Sequence, residues 1–180
     1  MPRMLLRPLA ALLVGAALLA ACTPSLNWRD VRLPSSRVVA QLPCKPDQTT
    51  RRVPLGGVPT DLSVVGCEAE GATFAVMRAR APAGVAPDEL LRGWQQATLA
   101  NMRAGTPVAT PFVPAGALAL PHAQRLVVSA QDASGRALAA QAAWAARLDG
   151  DGTELIHAVV YAPRARPEVA DAFFAGIKWP

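Results

Sequence analysis

The sequence predicts an α+β domain: an antiparallel sheet of about six or seven strands, with a central helix and a C-terminal helix packed on it. Three observations carry that expectation. Runs with a two-residue apolar period fall between clusters of turn-forming residues. One run, 87–104, changes to a helical period, and the last apolar side chains recur at four-residue steps. With 180 residues, 52% hydrophobic and 17% charged, the chain holds one domain's core. It is too apolar for disorder and too weakly charged for a nucleic-acid-binding tail.

The elements follow in order. Four strand-like runs, 37–44, 50–55, 59–67 and 72–80, are separated by K-P-D, G-G and E-A-E-G, which is turn chemistry. In the third run Leu62 and Val64 alternate with Asp61 and Ser63, and in the fourth Phe74 and Val76 alternate with Thr73 and Ala75. That period suits a sheet covered on one face. In 87–104, Leu90, Leu91, Trp94, Ala97, Thr98 and Met102 share a helical face; Pro87 suits the first turn, and Asp88 and Glu89 complement the helix dipole there. Four prolines make 106–121 an extended loop over the surface. Three more strands are expected at 124–131, 137–148 and 153–162, joined by D-A-S-G and D-G-D-G. Alanine propensity alone would make the middle one a helix. Its place between two hairpin turns, with Leu138, Trp144 and Leu148 at even spacing, makes it a strand. A short helix at 167–177, with Val169, Phe173 and Ile177 on one face, docks on the sheet.

Residues 1–21 read as an address. Arg3 and Arg7 precede thirteen residues, 9–21, without a polar side chain, the layout of a signal peptide. As a helix these span about 20 Å, short of the ~30 Å hydrocarbon core. Leu19, Ala20, Ala21 and Cys22 resemble the lipobox of bacterial lipoproteins. The resemblance implies that Cys22 is lipidated and becomes the new N-terminus, giving a membrane anchor of two or three acyl chains. Thr23 stands where inner-membrane retention commonly uses Asp, so the same resemblance implies the outer membrane, with the domain on its periplasmic face. The expected organisation is thus 1–21 leader, 22–36 lipidated tether and 37–180 a single domain. Trp28, in the tether, can sit at the headgroup interface or fold back on the domain. Removing Arg3 and Arg7 takes the net charge from +5 to +3. That is too mild to read as a nucleic-acid surface.

Cys44 and Cys67 remain after the anchor, in a chain sent to an oxidising compartment. A bridge closing a loop of about 24 residues is worth roughly 3 kcal/mol in the chain-entropy model. Two buried free thiols are the rival reading, with a metal or redox site a more remote one. No metal site is expected, since there is no C-x-x-C and neither His122 nor His157 has a ligand at metal spacing.

No catalytic or cofactor-binding residue is assigned. The sequence lacks G-x-S-x-G, H-E-x-x-H and a phosphate-cradling glycine loop. His157, projecting with Leu155 and Val159, reads as a hydrogen-bonded core or half-exposed histidine. His122 follows Pro121 in a loop. Glu68, Glu70, Asp149 and Asp151 read as solvated turn acids, Arg51, Arg52, Arg78 and Arg80 as solvated sheet positions, and Trp94 and Trp144 as core.

The order of elements resembles the PsbP-like fold, an antiparallel sheet with helices on both sides. More closely, T-P-S-L-N-W-R, C-K-P-D, T-R-R-V-P-L-G-G, G-A-T-F-A-V, A-A-W-A-A-R, H-A-V-V-Y and F-F-A-G-I-K resemble uncharacterised proteobacterial lipoproteins. The resemblance supplies no activity, so no site residue comes from it. The expected function is a non-enzymatic lipoprotein that acts as an accessory or interaction module for another envelope protein. The alternative is a periplasmic binding module for a small or amphiphilic ligand, held between the sheet and Phe112, Val113, Leu118 and Leu120 of the proline-rich loop.

Overall fold

The computed structural model describes residues 25–150 and 152–180; the leader and Cys22 lie outside them. Among the described residues the chain runs β1 (Arg29–Arg32), β2 (Val39–Leu42), β3 (Asp47–Leu55), β4 (Val58–Ala69), β5 (Ala72–Arg80), α1 (Pro87–Asn101), β6 (Val108–Pro111), β7 (Gln124–Gln131), β8 (Ala137–Asp149), β9 (Gly152–Ala162) and α2 (Pro167–Ala175). Strands β3 to β9 form one sheet in the order β3-β4-β5-β9-β8-β7-β6, with every neighbouring pair antiparallel. The fold class is α+β, as the periodicity predicts.

Both faces of this sheet are covered, whereas the alternation in β4 and β5 suggested one. Val65, Cys67, Phe74 and Val76 are buried on the face taken by α2. Leu62 and Ala79, with the partly buried Val64, Ala75 and Met77, line the face taken by α1. The alternation was misleading because Thr73 and Ala75 are small enough to read as an outer face. Strand β8 is mostly alanine: Ala140, Ala142, Ala143, Ala145 and Ala146 are buried, with Trp144 the one large side chain among them. The flanking ladders with β7 and β9 satisfy the backbone, so pairing overrides the helical preference of alanine.

Helix α1 begins with Pro87 in the first turn, with Asp88 and Glu89 beside it, and buries Leu90 and Leu91. The β3–β4 turn seats it. Gly56 has φ +59°, and a Cβ there would meet the Leu90 side chain at 2.7 Å, so only glycine fits. Helix α2 buries Val169, Phe173 and Phe174, and Phe173 packs edge-on against Phe74, with centroids 5.6 Å apart.

Three expectations are corrected. The stretch read as a tether is part of the domain from Leu26 onward: β1 pairs with β2, Asn27 N–H donates to the Pro43 carbonyl (2.8 Å), and Leu33 is buried. Trp28 folds back, edge-on to Phe74 with centroids 6.5 Å apart. The tether reading failed because R-D-V-R is too short and too charged to announce a strand. Second, the run 37–44 does not join the main sheet; it forms a two-stranded ribbon with β1, and a bridge from Val39 to Lys178 fastens it to the C-terminal tail. Third, the proline-rich stretch contains a short edge strand, β6, paired with β7.

Cys44 and Cys67 form a disulfide, with Cα atoms 5.9 Å apart. Because Cys44 follows β2 and Cys67 lies in β4, the bridge ties the N-terminal ribbon to the main sheet.

Candidate binding groove along helix α1

Two concavities with mixed chemistry lie beside α1 on its face of the sheet. One, of about 520 Å³, is walled by Trp94, Thr98, Asn101 and Met102 from the end of α1. Its floor is Thr73 and Met77 of β5, His157 and Tyr161 of β9, and Leu138 of β8, and its end is closed by Gln131 and Asp132. A second, of about 460 Å³, uses Trp94, Thr98 and Asn101 again, against Val53, Leu55 and Leu62. Trp94, Thr98 and Asn101 stand at i, i+4 and i+7, so one helix stripe serves both. The two concavities adjoin along α1 and together make the candidate groove. A third lobe, of about 300 Å³, continues past Thr73, Leu138 and Tyr161 to Gly71, Arg136 and Pro163.

His157 is the central ring of the floor. Its side chain lies flat on Trp144, with centroids 4.4 Å apart and planes 3° apart, and meets Trp94 edge-on at 5.4 Å. Nδ1–H donates to the Ala143 carbonyl at 3.2 Å. Burial pushes its pKa down to about 4, and the Ala143 hydrogen bond only partly opposes this. The ring is therefore neutral at ordinary pH. Tyr161 beside it is pushed up by burial and stays a phenol. Asp132 contributes no unsatisfied charge to the groove. Its Oδ1 accepts from Ser134 N–H (2.8 Å), Ser134 Oγ–H (2.6 Å) and Arg136 N–H (3.0 Å), while Oδ2 accepts from Arg136 Nε–H (2.8 Å). The first of these causes, the Ser134 hydroxyl, and then Arg136 hold its carboxyl well below the carboxylate range. The groove is thus aromatic and thioether-lined, with neutral amide and hydroxyl groups along it.

His122 performs a different task. Asp88 in the first turn of α1 accepts from His122 N–H and Nδ1–H, both at 2.9 Å, and Gln95 Nε2–H donates to the His122 carbonyl at 2.7 Å. These bonds clamp the proline-rich loop to α1. Burial raises the Asp88 pKa, but the His122 bonds outweigh it and the net shift is downward.

On the opposite face the arginine reading is corrected. Arg78 is not a solvated position: its Nε–H donates to Glu154 Oε1 at 2.8 Å, and Trp179 Nε1–H donates to Oε2 at 2.8 Å. Glu154 is only 2% exposed. It escaped notice because one acid in an apolar run gives no periodic signal. Arg80 does reach solvent and pairs with Asp149 at 3.3 Å. Glu70 is likewise no simple turn acid, since it pairs with Arg166. Trp144 is fully buried core, whereas Trp94 is both core and groove wall. The loop residues expected to cover a ligand do not: Phe112 packs edge-on against Phe174 (centroids 5.9 Å apart), Leu118 N–H donates to the Ala146 carbonyl (2.7 Å), and Val113 is exposed.

No group of three or more His, Cys, Asp or Glu side chains that could hold a metal occurs among the described residues. No described helix is long and apolar enough to cross a membrane.

No protein-family model matches the chain. No curated protein matches it either. One solved structure it is similar to is the immunity protein TplEi of the T6SS from Pseudomonas aeruginosa, complexed with "L" peptide. Identity is 14% over 94% of this chain and 62% of that one, with a TM-score of 0.33. The chain thus spans less than two thirds of that protein's length, and the likeness is too distant to bear on function.

Proposed function

We propose that this chain is a lipid-anchored, non-enzymatic binding module on the periplasmic face of the outer membrane, with its binding site in the groove along α1. The lipobox-like run ending at Cys22 supports the anchor, and the disulfide fits a chain that matures in an oxidising compartment. The observation that carries the binding reading is the 520 Å³ lobe, inside the size range of small-ligand sites and lined by Trp94, His157, Tyr161, Met77 and Met102 without an unpaired charge. Its two-sided chemistry selects an amphiphile. Native mass spectrometry of protein purified from membranes tests the reading. A bound small molecule that is lost when Thr98→Phe narrows the groove is the expected result, and equal occupancy in both proteins sinks it. Loss of palmitate incorporation on Cys22→Ala tests the anchor.

A second reading has its own observation. Strand β3 is a sheet edge, nine residues long and mostly exposed. Such an edge accepts a strand from a partner. That favours an accessory role toward another envelope protein, and crosslinking from positions 48–52 in intact cells should then recover one reproducible partner.

A further inference from the structure

The groove has an open end, and the fold dictates where that end lies. The β4–β5 turn (Glu70, Gly71), the β7–β8 turn (residues 132–136) and the exit of β9 (Pro163 to Arg166) all lie at one end of the strands, an edge of the sheet distinct from its edge strands β3 and β6. The third lobe is lined from all three, by Gly71, Asp132, Arg136 and Pro163, and it continues through Thr73, Leu138 and Tyr161 into the main lobe. The described chain begins at this same edge. Ser25 hydrogen-bonds the Glu70 carboxylate, which Arg166 also holds. Glu70 sits in the β4–β5 turn in a left-handed conformation, φ 49°. Three residue steps separate Ser25 from Cys22, a reach of about 11 Å at most. An acyl anchor on Cys22 therefore places the mouth of the groove against the bilayer.

From this juxtaposition we infer that the groove takes a phospholipid of the membrane that anchors the domain, entering with one acyl chain along α1 and leaving its headgroup at the sheet edge. This rests on the binding-module reading and names its ligand and the ligand's source. The chemistry is ordered the right way round for it. Deep in the groove lie Met77, Met102, Trp94 and the neutral His157; methionine side chains adapt to a flexible chain. At the mouth stands Arg136, exposed and paired with Asp132, whose outer guanidinium face is where a lipid phosphate would arrive.

The test uses the full lipidated protein reconstituted in vesicles of phosphatidylethanolamine and phosphatidylglycerol, with and without phosphatidylcholine brominated on its acyl chains. Bromine quenches an indole it touches. Brominated vesicles should quench tryptophan emission, Trp94→Phe should remove most of that quenching, and Trp28→Phe should leave it in place. Quenching that is the same with and without Trp94 overturns the inference. A second arm adds a brominated medium-chain alcohol from solution to protein in unbrominated vesicles. If the alcohol quenches Trp94 and the bilayer lipid does not, the lipid inference falls while the binding module stands. If neither does, both fall.

Discussion

Burying a neutral histidine makes this fold acid-sensitive by a calculable amount. In the unfolded chain His157 takes up a proton near its ordinary value of 6.5, but in the folded chain burial between Trp94 and Trp144 delays that uptake to about pH 4. The group's contribution is therefore whole above about pH 6.5 and declines as pH falls, because the unfolded state binds the extra proton. It is lost once the pH passes the folded value. A displacement of roughly 2.5 pK units at ~1.4 kcal/mol each comes to about 3 kcal/mol. At ~2 to 4 °C per kcal/mol, this is about 6 to 12 °C of melting temperature between neutral pH and pH 4. Carboxylates also titrate toward the acid end, so the measurement is a difference. His157→Phe keeps a planar ring between the indoles and cannot titrate. Urea melts followed by tryptophan emission at half-unit steps from pH 7.5 to 4.5 should show the parent losing stability faster than the variant, by up to ~1.4 kcal/mol per pH unit. Parallel profiles would falsify the burial argument.

Three further outcomes are expected. Replacing Cys44 and Cys67 by serine should lower the melting temperature by about 6 to 12 °C, from ~3 kcal/mol for the loop they close; an unchanged melting temperature in non-reducing buffer would show that the bridge does not constrain the unfolded chain. Arg78→Leu leaves Glu154 buried without its ion partner and should cost about 3 to 5 kcal/mol, whereas Arg78→Leu with Glu154→Leu should recover much of that. Denaturant melts of the pair decide this, and a double variant no better than the single one contradicts it. Asp88→Ala removes two acceptors for His122 and should cost about 1 to 2 kcal/mol. Because its folded pKa is lowered, this stabilisation is present at neutral pH and is lost as pH falls through the folded value, so parent and variant should converge in strong acid; a gap that persists there would assign the effect to packing.

The sheet was legible because its signals are local. Turn residues and a two-residue period marked six of its strands to within three residues at either end, and β5 and β7 were read with the same bounds they have in the fold. The edge strand β6 was hidden among prolines and makes only a four-residue ladder. The run 37–44 was read as a strand and contains β2, but β1 and the pairing of the ribbon were illegible because its stability is not local. Val38, Ala40 and Leu42 gain their burial from α2 and the C-terminal tail, more than a hundred residues away in sequence. The groove escaped for a related reason. His157 could be placed with Leu155 and Val159 by alternation, but what surrounds it comes from the second half of α1 and from a turn at Asp132. Polar residues at Thr98 and Asn101 on the Trp94 side of the helix were the available hint: a helix face that is half amide and hydroxyl is not simply packed on a sheet.

The corrected N-terminus changes what an anchor on Cys22 would do. A tether to residue 36 would let the domain tumble freely above the membrane, presenting any face. Instead the chain is held from Ser25 onward: Asn27 bonds Pro43, Trp28 packs on Phe74, and β1 pairs with β2. The ribbon is in turn fastened to β4 by the disulfide and to the C-terminal tail by the Val39–Lys178 bridge. Any pull on the N-terminus is thus shared between both chain ends and the central sheet. The bridge is accordingly more than an entropic staple. Reducing it should loosen the ribbon before it melts the sheet, since the ladders from β4 through β7 do not depend on it. On the proposed anchor, a loosened ribbon would free the groove mouth from its place at the bilayer. Hydrogen exchange on the reduced protein separates the two events: faster exchange in β1 and β2, with β5 and β9 still protected, is the expected pattern, and uniform loss across the sheet would show that ribbon and sheet unfold as one unit.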